Sequence, residues 1–174
     1  MAVIADSAIH VAPLAPLGKL VYHIDFNNTR RRTMWTQSYS KTVEGLSAAQ
    51  VWKVWSDVDS WHVWQDDIEY ARMNGPFETG GSFKFKPKGG PNLTLELSDV
   101  QPNTSFVDIT RFPLARMVDS HELIERGGAL EIKTTIRMEG PLAFLWRKIV
   151  GEDVVKSLPA QTDKLIAQAT LACA

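Results

Sequence analysis

The chain has 174 residues, of which 44% are hydrophobic and 22% charged, and its formal net charge is -1. This length suits one domain with a substantial core, and the near-neutral charge argues against a nucleic-acid partner. The apolar runs fall short of the ~20 residues that cross a bilayer, so we expect no stable membrane insertion. Cys173 is the only cysteine. A disulfide framework is therefore excluded, and a cytoplasmic location is expected.

Residues 1–34 differ in character from the rest of the chain. Met1–Leu17 is rich in Ala and Pro and lacks the early basic residues and continuous apolar stretch of a secretory signal. Val21–Phe26 alternates weakly and predicts a short edge strand, and Arg30–Arg32 is interpreted as a solvated strand entry. We therefore expect an N-terminal extension over 1–34, loosely packed or used in a subunit contact such as a homodimer, and a ligand-binding domain over 35–174.

The hydrophobic pattern becomes regular at the start of the expected domain. Trp35–Val43 is rich in aromatic and β-branched residues, which predicts a half-buried strand with Tyr39 on its inner face. Ser47, with Gln50 three residues later, matches a capping box. A helix over 48–56 should follow it directly.

Two tryptophans and a series of short strands make up the middle of the chain. Trp61 and Trp64 stand one helical turn apart and predict an aromatic plug packed under a sheet. The segments that follow are separated by Gly, Pro and Asn turns, which is typical of an antiparallel meander. One face of each strand is apolar and needs a cover. The predicted strands are 68–73, 82–87, 93–100, 105–111, 116–126 and 130–138.

The C-terminal segment supplies that cover. Gly140 and Pro141 predict a helix entry, after which apolar residues recur at helical spacing as far as Ala169, with Gly151 as a candidate interruption. Pro159 removes a hydrogen bond from the helix interior and predicts a kink. A kinked helix over a curved sheet leaves a space for a ligand. The first apolar stripe is expected to comprise Leu142, Leu145, Trp146 and Ile149.

The order of one strand, two short helices, six strands and a long helix resembles the START-related SRPBCC superfamily, and within it the bacterial polyketide cyclase/dehydrase-like branch. The resemblance covers about Trp35–Ala172 and implies an α+β helix-grip fold, with a curved antiparallel sheet of about seven strands around a long C-terminal helix. It also implies a hydrophobic cavity that binds lipids, polyketides or sterols, in which some relatives catalyse ring closure or dehydration. Its local markers are Val51–Asp57, Trp61, Trp64, Gly75–Phe77, Gly80, His121, Gly140–Leu142 and Leu158-Pro159.

His121 and Asp119 are the candidate catalytic residues. His121 alternates with Met117 and Leu123 and should face inward, where an imidazole can act as general acid or base. Asp119 shares that face and would orient the ring or lie at the polar rim. A lone inward histidine is more often a satisfied core group, so the structural and the catalytic interpretation both remain open.

The ligand-binding candidates are other side chains assigned to the inner face. Tyr39, Tyr70 and Thr134 offer hydroxyl groups to a ligand oxygen, although each also fits a core residue with a polar tip. Arg72 shares a face with Tyr70 and is equally an inward anchor for an acidic group or a surface ion pair. The remaining candidates are Leu95, Leu97, Met117, Ile132, Ile136, Leu158 and Thr162.

Other polar residues point to structural roles. Arg111 and Arg116 are expected to form surface ion pairs. His62 lies close to Asp66 and Asp67, but no HExxH, Cys/His or calcium-loop spacing appears, so no metal and no cofactor is expected.

Three functions remain open at this point. The favoured one is a carrier or sensor that holds a hydrophobic small molecule, because burial of apolar area alone provides useful affinity. The alternative is a polyketide cyclase or dehydratase acting in the same cavity. The third is an interaction module that uses residues 1–34.

Overall fold

Seven antiparallel strands form one sheet in the computed structural model, which describes residues 34–172. The strand order is β1-β7-β6-β5-β4-β3-β2, so β1 crosses over to pair with the last strand while the others follow one another as a meander. The expected edge strand Val21–Phe26 and most of the N-terminal extension lie outside the described residues. The strands are β1 Trp35–Glu44, β2 Ile68–Met73, β3 Ser82–Pro87, β4 Leu93–Gln101, β5 Ser105–Phe112, β6 Ala115–Arg126 and β7 Ala129–Glu139.

Helical segments follow β1 and β7. The capping box at Ser47 is confirmed, because its hydroxyl accepts from the Gln50 amide while the Gln50 side chain accepts from the Ser47 amide. The long C-terminal helix continues through Pro159 to Leu171, and the kink expected there stays a prediction. The segments are α1 Ala48–Ser56, a 3₁₀ turn Val58–Ser60, α2 Trp61–Trp64, α3 Ala143–Trp146, a π-helical turn Arg147–Gly151 and α4 Glu152–Leu171.

The inner face of the sheet carries the core. Every second residue of β7 is buried, from Leu130 to Met138, as alternation predicts for a strand with one dry side. Trp61 packs edge-to-face on Phe83, with ring centroids 5.4 Å apart, and donates its indole N–H to the Trp55 carbonyl at 3.0 Å. The helix-grip architecture expected from the sequence is therefore confirmed.

The outer face of the sheet carries ion pairs between neighbouring strands. Arg111 of β5 makes two hydrogen bonds to Glu96 of β4, at 2.8 and 2.7 Å. Arg116 of β6 lies 2.7 Å from Glu139 of β7. The surface roles expected for both arginines are thus confirmed.

A bulge in β2 overturns one inward assignment. The pairing of β2 with β3 shifts register between Ile68 and Tyr70, which breaks simple alternation. Ala71 is buried as a result, Arg72 is exposed, and the Tyr70 hydroxyl donates to Asn92 in an exposed hydrogen bond at 2.8 Å. The prediction that Tyr70 points into the interior is wrong, and so is the inward one of the two alternatives left open for Arg72.

The π-helical turn overturns a second assignment. The expected apolar stripe is only partly inward, because Leu145 is 41% exposed and Ile149 is 53% exposed. A π turn holds an extra residue, so side chains on either side of it lose the 3.6-residue phase on which the prediction rested. Ala143 and Gly151 are the buried residues of this region, and Gly151 leaves room for Trp35, whose ring would lie 2.8 Å from an added Cβ.

Candidate ligand cavity

A cavity of about 730 Å³ lies between the inner face of the sheet and α4. Pockets of 300–1,000 Å³ accept drug-sized molecules. The sheet contributes mostly side chains from β4 to β7, and the helix side contributes residues from Ile149 to Leu165. The apolar part of the lining includes Trp55, Trp61, Phe85, Leu93, Leu95, Phe106, Phe112, Met117, Ile132, Ile149, Val150, Val154, Leu158 and Leu165.

Two adjacent rows of side chains cross the floor of this cavity. Strand register places Phe106, His121 and Thr134 opposite one another on β5, β6 and β7. The neighbouring row places Asp108 opposite Asp119. Directly opposed residues on one face have their Cβ atoms about 5 Å apart, so each row forms a contact group.

His121 is held on every side. Its ring stacks on Phe106 with centroids 4.2 Å apart and lies edge-on to Trp55 at 5.5 Å. Nδ1 is 3.2 Å from the Thr134 hydroxyl, and Nε2 is 3.4 Å from Asp108 Oδ2. Nδ1 therefore has a hydrogen-bonding partner, whereas Nε2 lies within ion-pair distance of Asp108 without a hydrogen bond.

The two aspartates present unpaired oxygens. Asp108 is only 3% exposed, and its Oδ1 has no hydrogen-bond partner among the described residues. The same is true of Asp119 Oδ1. Burial, reinforced by the negative charge of Asp108, holds the pKa of Asp119 well above its ordinary value of 3.8. Protonation of Asp119 removes its repulsion with Asp108.

The exposed part of the lining marks the entrance. Asp67, Lys88 and Gly89 are exposed beside the β3–β4 hairpin, and Ile149 and Asp153 are exposed on the helical side. The cavity therefore opens between that hairpin and the start of α4. Trp64 lines the same space, and its indole N–H has no acceptor within residues 34–172.

The structure brings together eight of the thirteen candidate site residues and separates the rest. Tyr39, Leu97 and Ile136 lie in the neighbouring core, and Tyr70 and Arg72 lie on the outer side. Asp108 and Thr110 were missed, although both are buried and line the cavity. The candidates that line it are Leu95, Met117, Asp119, His121, Ile132, Thr134, Leu158 and Thr162.

Neither a metal site nor a membrane span emerges from the described chain. Between residues 34 and 172, His, Cys, Asp and Glu side chains form no group of three or more that could hold a metal ion. None of the helices over the same residues combines the length and apolar character that a bilayer crossing requires.

One protein family model matches most of the chain. Residues 34–169 match the family model described as polyketide cyclase/dehydrase and lipid transport. No curated protein matches the sequence at a significant level.

Solved structures share the fold at low sequence identity. The Zhui aromatase/cyclase from Streptomyces sp. R1128 is 13% identical with a TM-score of 0.66, over 79% of this chain and 94% of that one. Ara h 8.0201 is 14% identical with a TM-score of 0.63, over 79% and 99%. Norcoclaurine synthase from Thalictrum flavum, in complex with dopamine and hydroxybenzaldehyde, is 16% identical with a TM-score of 0.58, over 86% and 98%.

Proposed function

Since the chain belongs to the polyketide cyclase/dehydrase and lipid transport family, within the SRPBCC superfamily, we propose that it binds a hydrophobic small molecule in the cavity between the sheet and α4, as a carrier or sensor. The observation that carries this proposal is the cavity of about 730 Å³, whose walls are chiefly apolar. Filling such a space with an apolar ligand yields ~25 cal/mol for each Å² removed from water.

The surroundings of His121 favour a carrier over a catalyst. A general base must present a free nitrogen to the substrate. Here Nδ1 of His121 is hydrogen-bonded to Thr134, and Nε2 lies 3.4 Å from Asp108 Oδ2. The ring thus supports the floor of the cavity and fixes Asp108 rather than reaching for a ligand proton.

Displacement of a neutral fluorescent dye, Nile red, tests the binding proposal. Thr162 is buried and lines the cavity on α4, so Thr162→Phe puts a ring into the ligand's space. Losing about 60 Å² of apolar contact corresponds to about 1.4 kcal/mol, or about tenfold in affinity. The matched control is Ala160→Phe on the exposed side of the same helix. Equal affinity of Nile red for the wild-type protein and both variants would contradict the proposal.

A second function, acid/base catalysis of a dehydration, is favoured by one observation. Burial and the neighbouring Asp108 raise the pKa of Asp119, which favours its protonated form. Such a carboxyl can protonate a departing hydroxyl group while a base removes the neighbouring C–H proton, so that a C=C bond and water form. In this scheme His121 is the base, which requires it to release Thr134 or Asp108.

Turnover of a β-hydroxyacyl thioester separates the two functions. The catalytic alternative predicts a conjugated product whose rate of appearance falls by at least about 100-fold in Asp119→Asn and in His121→Ala. A rate that is unchanged in both variants, or absent from the wild-type protein, leaves the binding function alone.

A further inference from the structure

The inner end of the cavity carries a specific chemical signature. Asp108 and Asp119 face each other across β5 and β6, and each has an Oδ1 atom without a hydrogen-bond partner among the described residues. An unpaired buried acceptor costs stability unless something supplies a donor. Asp108 is buried and both residues line the cavity. The two carboxyl groups therefore border the space that the inner end of a ligand would fill, while their Oδ1 atoms are themselves buried.

Positive charge is scarce around these oxygens. Among the described lining residues, Lys88 and His121 are the only groups that can carry a positive charge, and Lys88 is exposed at the entrance. Nε2 of His121 already lies 3.4 Å from Asp108, and Nδ1 is hydrogen-bonded to Thr134. A carboxylate or phosphate placed at the inner end would meet a carboxylate and find no free cation, and like charges at close range cost several kcal/mol in binding.

We infer that the cavity selects a hydrophobic ligand whose inner end is a hydrogen-bond donor without negative charge, either an ammonium or a hydroxyl group, held by Asp108 and Asp119. This inference rests on the proposed binding function and specifies its ligand. An ammonium group donates up to three hydrogen bonds and carries a positive charge that complements the carboxyls, whereas a hydroxyl group donates one hydrogen bond and carries no charge. In either case, Asp108 and Asp119 disfavour a fatty acid whose carboxylate is placed against the floor of the cavity.

A matched series of ten-carbon ligands tests the inference at pH 7. Decylamine, decan-1-ol and decanoate share one apolar chain and differ only in the head group, and each displaces Nile red from the wild-type protein in competition. We expect decanoate to bind at least about tenfold more weakly than the better of the other two. Tightest binding by decylamine identifies an ammonium group, and tightest binding by decan-1-ol identifies a hydroxyl group.

Substitutions test whether the two aspartates cause the preference among the three ligands. Asp108→Asn removes the negative charge with little change of shape, so the affinity of decanoate should rise towards that of decan-1-ol. Asp119→Asn is a second variant should Asp108→Asn unfold, and it should lower the preference for decylamine. Asp99→Asn makes the same chemical change at a residue that does not line the cavity and should keep the wild-type order.

The outcomes separate this inference from the function on which it rests. Failure of Nile red to bind removes the proposed function and the inference together. Binding of Nile red with decanoate equal to or tighter than the other two ligands overturns the inference and leaves the proposed function standing. The same holds if Asp108→Asn and Asp119→Asn both retain the wild-type selectivity, or if Nile red binds and none of the three ligands displaces it.

Discussion

The two faces of the β5–β6 pair treat charge in opposite ways. On the outer face, Arg111 and Arg116 are direct cross-strand neighbours, and each turns to a glutamate on the next strand along. On the inner face of the same two strands, Asp108 and Asp119 are neighbours, and no arginine or lysine of residues 34–172 lies beside them. The outer arrangement pairs both arginines within the protein. Stability alone explains the outer arrangement, whereas the inner one leaves two buried acceptors without a partner among the described residues.

The largest effect is expected from Asp119→Asn. The change replaces a buried carboxyl that Asp108 repels with a neutral amide of the same shape, and the effect of one poorly satisfied buried polar group is on the order of 1–3 kcal/mol. Because the pKa of Asp119 is raised in the folded protein, the fold holds this proton more tightly than the unfolded chain does. Wild-type stability therefore falls as pH rises above the ordinary value of 3.8 towards the raised pKa, and the advantage of the variant grows over that window.

Urea unfolding at pH 5 and pH 8 measures this difference. The matched control, Asp67→Asn at the exposed entrance, should follow the wild-type protein at both pH values. An Asp119→Asn protein that is less stable than the wild type at both would show that the carboxyl contributes a favourable contact and that the inner pair is complete without a ligand.

A smaller effect is expected from Thr134→Val. This change keeps the shape of a buried side chain and removes its hydrogen bond to His121 Nδ1, so a loss of about 0.5–1.5 kcal/mol is expected from urea unfolding. Thr135→Val is the control on the outer face, where the hydroxyl bonds Ser38 at 2.9 Å in a part-buried position. Water can replace part of that hydrogen bond, so the free energy of unfolding should fall less in Thr135→Val than in Thr134→Val. Equal losses of stability in the two variants would show that hydrogen bonds on the inner and outer faces of β7 contribute alike.

The smallest effect is expected on the outer face itself. Arg116→Met removes a partly exposed ion pair with Glu139, and such pairs contribute about 0.2–1 kcal/mol. The loss should shrink in 1 M salt because the ions screen exposed charges. A loss that exceeds the effect of Asp119→Asn, and that persists in salt, would mean that the outer pairs rather than the inner carboxyls dominate the electrostatics of these strands.

Alternation predicted the fold well because most strands have one dry side. The bounds of β2 and β3 match those of the structure, and β7 differs by one residue at each end. The inward direction of His121 and Asp119 followed from the same rule. The capping box gave the start of α1 because its two hydrogen bonds are local in sequence.

The residues that were missed or misplaced depend on features that alternation does not encode. In β5 the inner face holds Asp108 and Thr110, while Val107 and Ile109 point outward, so both faces mix polar and apolar residues and the pattern gives no direction. In β2 a bulge shifts the phase between Ile68 and Tyr70. A bulge is set by pairing with another strand, which a single sequence does not display.

The π-helical turn Arg147–Gly151 determines which side chains face the entrance of the cavity, because it sets the rotation of the preceding helix relative to α4. Its extra residue turns Ile149 towards the entrance, while Gly151 lets the backbone approach Trp35. Removing one residue from this turn would rotate the preceding helix by about 100° relative to α4. The entrance of the cavity would change shape, while Asp108 and Asp119 would keep their positions in the sheet. For the ligand proposed above, the rates of entry and release would therefore be adjustable at one short helical segment, separately from the contacts that set affinity.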